Sequence, residues 1–368
     1  MKKILVLFGG DSVEQDISII TAIEALGNVD REKYKVYPVY ISDRWYLGDF
    51  TSVDDFCPFE SKLYKNVVLA EGFLCEIKGA KIKKLIRPSA ALLCTHGGTG
   101  ENGALQGLLE LNHIPYTSPY ILQSALGMDK AVSKQIFENM ILNIPKYVSL
   151  TKSEYVYDKQ QTVSYIETFI DYPMVIKPCS QGSSIGISVA HEPKELLTAL
   201  DVAFYYGDKA VVEKEINDFI EVNCACYSKN GRIVVSETER PVCDGEILSF
   251  SDKYVGGEKS KATRIMPADV GDDVNALIKA TSKRIYCELG LKGVVRFDFL
   301  VSGTKVYINE MNTVPGAFAN YLFKPLGIDY KTLLSDLIEE ADYENKKIEF
   351  KSGVLEYYSG KMLKGKKV

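Results

Sequence analysis

Short apolar runs closed by glycine-rich turns fill the first third of the chain. KKILVLF, YKVYPVYI and AALLCT read as strands, a helical stripe runs through Ile17, Ile20, Ile23 and Leu26, and GALQGLLELN reads as a helix after the last strand. Strand and helix signals in alternation predict a parallel sheet with crossover helices. Ligands in such folds gather beyond the strand C-termini, where FGGDSVEQD and THGGTGENG lie. Both turns are expected to face one cleft. From about Met128 the pattern changes to a helix MDKAVSKQIFENM, a strand ending IPKYVSL, a helix near 160–170, the strand pair YPMVIKP and SIGISVA around CSQGSS, and a helix from about Pro193 to Tyr206. This predicts a small α+β unit. KAVVEKEI, IEVNCACYS and IVVSETER then read as antiparallel sheet, followed by a loop from about Cys243 to Pro267, a helix near 271–289 and a lysine-rich tail from Asn345.

RFDFLVSGTKVYINEMNT breaks the strand pattern in an informative way. Side chains alternate faces along a strand, so Arg296 and Asp298 share one face, and Glu310 and Asn312 share one face of the next strand. Paired through a turn at Gly303, the two strands would gather these four polar groups on one patch. Clustered carboxylates repel one another and lose hydration, so they require a cation. Asp298, Glu310 and Asn312 supply the hard oxygens that suit Mg²⁺, which usually joins one or two carboxylates to substrate phosphates. A salt bridge of Arg296 with Asp298 or Glu310 is the alternative.

At 368 residues the chain is long enough for two or three domains. A net charge of -5 gives no basic footprint for nucleic acid. No apolar run approaches a membrane span, and Gly9, Gly10 and Asp11 cut the first apolar run short of a signal-peptide core. The eight cysteines are scattered without a CxxC pair, and the three histidines lack ligand spacing. Reduced thiols and a cytoplasmic location are expected.

VIKPCSQGSSIGI sets Lys177 at a strand end before the small residues Gly182, Ser183, Ser184 and Gly186, a phosphate-loop candidate or simply a flexible hairpin turn. It lacks the GxxxxGK of a Walker loop. Glu213 and Glu221 in VVEKEINDFIEVN could hold an adenosine or form a solvated acidic edge. Lys130 in MDKAVSK could equally be one more exposed helix lysine.

Taken in order, these motifs resemble the ATP-grasp ligases and, more narrowly, the D-alanine:D-alanine ligase family. GGDSVEQDIS, HGGTGENGALQG, MDK, VIKP, GSSIG, DKY, RFDF and NEMNTVPG follow in family order from Gly9 to about Leu326. The resemblance implies a three-domain ATP-grasp architecture of α/β and α+β units with an N-terminal parallel-sheet domain, divided 1–124, 125–210 and 211–368. It implies a ligase for peptidoglycan synthesis, in which ATP phosphorylates the carboxylate of one D-alanine and the amine of a second amino acid attacks the acyl phosphate. ATP and Mg²⁺, with Mn²⁺ as the alternative cation, would be the cofactors, D-alanine the substrate, and a homodimer the assembly, with neither nucleic acid nor membrane as partner.

Carried over residue by residue, Glu14 would bind the first substrate's ammonium and His96 would lie near its carboxylate. Lys130, Lys177 and Lys253 would contact phosphates, Glu213 and Glu221 the adenosine, and Asp298, Glu310 and Asn312 the metal. Arg296 would stabilise charge on the acyl centre, and Ser183 and Tyr254 would hydrogen-bond with Glu14, tying a loop over the substrates. Gly316, Tyr321 and Leu322 fall in the second amino acid's pocket.

The chain departs from the family pattern in three places. Asn102 replaces the Asp of GEDG, Gln181 a common Glu before GSS, and PGAFANYLFKP stands where PGMTxxSLxP is frequent. Tyr321 takes the place of a serine that helps bind the second substrate's carboxylate. Leu322 keeps the leucine of alanine-using enzymes and Tyr254 favours an amine acceptor. The alternatives are a related ligase using D-serine or another acceptor, and a nucleotide-binding protein that has lost ligation.

Overall fold

The computed structural model describes residues 1–242 and 264–344. Lys253, Tyr254 and the tail from Asn345 lie outside the described residues.

The first sheet is built from β1 (Lys2–Gly9), β2 (Tyr34–Ile41), β3 (Trp45–Leu47), β4 (Lys65–Ala70), β5 (Phe73–Lys78), β6 (Lys81–Ile86) and β7 (Ala90–Leu93), in the order β6-β5-β4-β3-β2-β1-β7. β1 pairs in parallel with both β2 and β7, and its run from Ile4 to Phe8 is buried throughout, as a central parallel strand requires. The expected parallel sheet is thus present at one end only. β2 through β6 pair antiparallel. The physical reason lies in the connections: two residues, Glu71 and Gly72, join β4 to β5, both at positive φ, whereas a parallel crossover needs a dozen or more.

The second sheet, β8 (Tyr147–Thr151), β9 (Met174–Pro178), β10 (Ser188–Ala190) and β11 (Lys209–Lys214), runs β10-β9-β11-β8 and is antiparallel. The third comprises β12 (Ile220–Lys229), β13 (Arg232–Val235), β16 (Val295–Ser302) and β17 (Lys305–Asn312), in the order β13-β12-β16-β17, with β14 (Arg240–Pro241) and β15 (Arg264–Ile265) as a separate ribbon.

On β16 the alternation is strict. Val295, Phe297, Phe299 and Val301 pack with Ile278, Ile285 and Tyr286 of the helix Asp272–Glu288, which turns Arg296 and Asp298 to the opposite face. β17 would lose this parity, because Val306 and Ile308 face the same core as Met311. A bulge between the Asp298 and Phe299 registers inserts Asn309 as an extra residue, so Glu310 and Asn312 join the cleft side. A second core joins the ends of the chain: Phe8, Ala22 and Leu26 pack with Phe318, Leu322, Leu333, Leu334 and Ile338, fixing the segment 316–322 and the helix Tyr330–Glu344 against the helix Gln15–Asn28.

Candidate active site

The hairpin patch forms as its alternation predicts. Arg296 lies opposite Asn312 and Asp298 opposite Glu310. The charges are balanced by protein cations. Arg296 Nε and Nη2 each donate to an Asp298 oxygen at 2.7 Å, Asn312 Nδ2 donates to Asp298 Oδ2 at 2.9 Å, and Lys130 Nζ sits 3.5 Å from Glu310. The salt bridge offered as the alternative to metal binding is therefore present. It coexists with a donor set that fits Mg²⁺: two carboxylates on paired strands, plus the Asn312 Oδ1 left facing away from the amide nitrogen that Asp298 occupies.

Behind this patch, the bulge residue Asn309 accepts from Lys177 Nζ at 3.1 Å, which bridges the third sheet to the second. Lys177 also reaches Glu213 Oε2 at 3.1 Å, and Lys134 lies 3.0 Å from Glu213 Oε1. All three side chains are buried, Lys134 at 1% exposure. Burial alone would raise the Glu213 carboxyl, but Lys134 and Lys177 outweigh it and hold the pKa below the ordinary value. Burial, helped by the Lys177 charge, pushes the Lys134 ammonium down. Two lysines against one carboxylate leave the cluster net positive, which suits a phosphate-bearing ligand. Lys134 was not among the residues singled out in the sequence, although it lies one turn beyond Lys130 on the same helix face.

The two glycine turns do share the cleft. Thr99 donates to Asp11 from both N-H and Oγ1 at 3.1 and 2.8 Å, and Ser12 Oγ donates to the His96 carbonyl at 2.5 Å. Glu14, at the N-terminus of the helix Gln15–Asn28, accepts a short hydrogen bond from Ser183 Oγ, so the GSS loop closes onto the first turn. Gly182 permits this approach: a Cβ there would stand 2.5 Å from Glu14 Oε2. Ser183 and Ser184 both occupy the left-handed region, at φ 52° and 61°, a strained conformation for serine.

Burial raises the Glu14 carboxyl, the Ser183 hydroxyl pulls it back, and Glu101 and Glu310 push it up again against Lys130. If Glu14 holds an ammonium as a carboxylate, affinity for that substrate falls as pH drops through the raised pKa. Ser183→Ala removes the bond that favours ionisation, so the acid limb of the kcat/KM profile should move to higher pH. At neutral pH the loss of this charge-assisted bond should cost about ten-fold. A pH profile of the variant checks both statements.

Glu101, unassigned in the sequence, is the tie between the THGGTGENG turn and the NTVPG segment. Its Oε1 accepts from Thr313 N, Thr313 Oγ1 and Val314 N at 2.9–3.1 Å, and its Oε2 from Gly97 N at 2.9 Å. His96 lines the cavity but has no ring nitrogen to spare. Nδ1 donates to the Val314 carbonyl at 2.7 Å, so Nε2 accepts from Thr21 Oγ1 at 2.9 Å, and Thr21 in turn accepts from Ala317 N at 3.1 Å. Burial holds the imidazole below its usual pKa, consistent with this neutral tautomer. In this state His96 positions the wall of the site rather than reaching into it.

The other substitutions are locally satisfied. Asn102 Oδ1 accepts from Ala104 N, starting the next helix. Gln181 turns its amide to the Tyr206 carbonyl, while its own carbonyl accepts from Lys130 Nζ at 2.6 Å.

Glu14, Lys130, Ser183, Glu221, Arg296, Glu310, Asn312, Gly316 and Tyr321 all line one cavity of about 900 Å³. The Leu322 side chain is fully buried and packs in the core beside Phe318 and Phe323, next in sequence to the lining residue Tyr321. Lys177 and Glu213 lie outside this cavity wall, so the predicted nucleotide residues divide between it and the buried lysine cluster.

Comparison with known proteins bears on what uses this cavity. A family model described as "D-ala D-ala ligase N-terminus" matches residues 3–119, and "D-ala D-ala ligase C-terminus" matches residues 136–339. The chain belongs to the D-alanine–D-alanine ligase family. A D-alanine–D-alanine ligase of Thermosipho africanus is 33% identical over 91% of this chain and 92% of its own, and one from Caldicellulosiruptor bescii 34% identical over 94% and 96%. Among solved structures, a D-alanine–D-alanine ligase from Helicobacter pylori has a TM-score of 0.75 at 29% identity, covering 92% of this chain and 98% of that one. The VanG D-Ala:D-Ser ligase from Enterococcus faecalis gives 0.78 at 27%, covering 92% and 99%. The ATP-grasp architecture read from the motif order is thereby shown, with a mixed rather than parallel N-terminal sheet. No helix among the described residues is long and apolar enough to cross a membrane.

Proposed function

We propose that the protein is an ATP-dependent D-alanine:D-alanine ligase that activates one D-alanine as an acyl phosphate and joins it to a second, supplying a dipeptide for peptidoglycan synthesis. The observation that carries this reading is the convergence of Glu14, Lys130, Ser183, Arg296, Glu310 and Asn312 from all three sheet units and the helix Lys130–Asn139 on one cavity. A cavity lined by carboxylates and cations together matches an amino acid whose ammonium is held while its carboxylate is phosphorylated.

Phosphoryl transfer requires positioning and charge stabilisation more than a nucleophilic side chain. Glu14 orients the first ammonium, and Lys130 and Lys177 attract phosphates. Glu213 and Glu221 supply acceptors for adenosine, and Arg296 faces the carbon where negative charge develops. Mg²⁺ held by Asp298, Glu310 and Asn312 would neutralise phosphate charge. The domain boundaries 1–124, 125–210 and 211–368, a homodimeric assembly and a cytoplasmic location complete the proposal. Lys253 joins it as a phosphate-contacting residue and Tyr254 as a catalytic residue.

D-alanine-dependent phosphate release from ATP tests the reading. Glu310→Gln should lower turnover at saturating Mg²⁺ by at least a hundred-fold, since the metal loses one of two charged ligands. Turnover near wild type in that variant would show the carboxylate to be structural. A second reading, a ligase with a different acceptor, is favoured by one feature: Tyr321 lines the cavity where serine is usual in the family.

A further inference from the structure

The acceptor end of the cavity carries charged and polar groups that the scheme above leaves unused. Arg264 enters on β15, paired in register with Pro241 of β14. Its guanidinium lies 3.8 Å over the centre of the Tyr321 ring, and Nη1 stands 3.1 Å from Glu239 Oε1. The other carboxylate oxygen, Glu239 Oε2, and Asn223 Oδ1 are buried and lack a well-formed hydrogen bond among the described residues, with the Tyr321 hydroxyl the neighbouring donor to the Glu239 carboxylate. Glu239 is 1% and Asn223 5% exposed, both line the cavity, and they exchange backbone hydrogen bonds at 2.8 and 2.9 Å. Buried acceptors without well-formed hydrogen bonds are rare and costly, and two side by side on a cavity wall mark a place where a ligand's N-H groups complete the bonding.

We propose that Arg264, Glu239 and Asn223 form the cradle of the second amino acid, with Arg264 taking its carboxylate and Glu239 Oε2 with Asn223 Oδ1 taking its ammonium. The inference rests on the ligase reading and names the residues that select its acceptor. A zwitterion presents the same two charges that Arg264 and Glu239 now offer each other, so it enters by exchanging ion-pair partners without adding net charge. Tyr321, in place of the usual serine, supports the guanidinium plane by stacking. The placement suits the reaction as well. Asn223 lies directly opposite Asp298 in the β12–β16 register, one strand spacing of about 4.8 Å from the Arg296 patch where the acyl carbon would sit. An ammonium held there gives one proton to solvent, its nitrogen bonds the acyl carbon, the bond from that carbon to the phosphate oxygen breaks, and the second proton leaves the nitrogen with the departing phosphate; the cradle orients the amine.

The two halves of the reaction can be measured apart. Hydroxylamine in place of the second amino acid traps the acyl phosphate, and D-alanine hydroxamate then reports the donor KM. Phosphate release over a range of D-alanine or D-serine, with the donor site saturated, reports the acceptor KM. Arg264→Met and Glu239→Gln should each raise the acceptor KM at least ten-fold while the donor KM moves less than two-fold, with Arg264→Lys recovering part of the loss. Arg264 is half-exposed, so its variants remain informative if buried Glu239→Gln does not fold. An unchanged acceptor KM in Arg264→Met, or donor and acceptor KM rising together, overturns the cradle. Wild-type protein that makes no hydroxamate overturns the ligase reading itself.

Discussion

Arg296→Met is expected to lower turnover about a thousand-fold and, separately, to destabilise the fold. On the proposed reading, the catalytic loss follows from removing a preorganised cation that meets developing negative charge, for which a single donor is worth about 10²–10³. The stability loss has a different origin. Asp298 is 2% exposed and receives both 2.7 Å bonds from Arg296, so the variant leaves a buried carboxylate with only the Asn312 amide. Breaking one side of such a pair costs about 3–5 kcal/mol. The two effects separate in the Arg296→Met, Asp298→Asn double variant, where no buried charge is stranded. Thermal or denaturant unfolding should return most of the way to wild type while turnover stays low. Because Asp298 is also a proposed metal ligand, low turnover in the double variant does not bear on Arg296; Arg296→Lys, which keeps a cation beside Asp298, does, and wild-type turnover in it would show that Arg296 serves only to neutralise Asp298.

The same pair shows what the chain discloses before any coordinates exist. Alternation puts Arg296 and Asp298 on one face because the period of a strand is two, and nothing in the tertiary structure disturbs it. Glu310 and Asn312 reach that face only because a bulge absorbs Asn309, and a bulge leaves no mark in hydrophobic pattern. The helix Pro193–Tyr206 was legible to the residue, since Pro193 starts it and Gly207 ends it. The antiparallel extension β3–β6 was not, because its strands are short, polar on one face and spread through a segment without strong periodicity.

Site residues divide the same way. Glu14, Lys130, Ser183 and Arg296 stand in recognisable motifs. Glu101 stands in one too, but its tie to Thr313 and Val314, like the grouping of Asn223, Glu239 and Arg264, is made by the fold, as with Asn223 and Glu239 on neighbouring backbone segments sixteen positions apart in sequence. Leu322 shows the converse: a motif position whose side chain the fold sends into the core.

Glu213→Gln should destabilise the fold about as much as Arg296→Met. The wild-type carboxylate is the counter-charge to two buried ammonium groups, Lys134 and Lys177, at 3.0 and 3.1 Å. An isosteric amide keeps the packing and removes the charge, again at about 3–5 kcal/mol, and nucleotide affinity should fall with it because both lysines lose their fixed orientation. The pH dependence gives this prediction a distinct signature. Lys134 already titrates below its ordinary value because it is buried, and without Glu213 that displacement grows. Between that depressed value and the ordinary lysine value of 10.5, the unfolded chain binds more protons than the folded one, so stability rises with pH there, by at most about 1.4 kcal/mol per unit for one proton. The deficit of the variant relative to wild type should therefore shrink as pH is raised from 7 toward 10.5, measured by denaturant unfolding in matched salt. A deficit constant across that range would mean that Glu213 contributes through hydrogen bonding and shape, with the lysine charges compensated elsewhere.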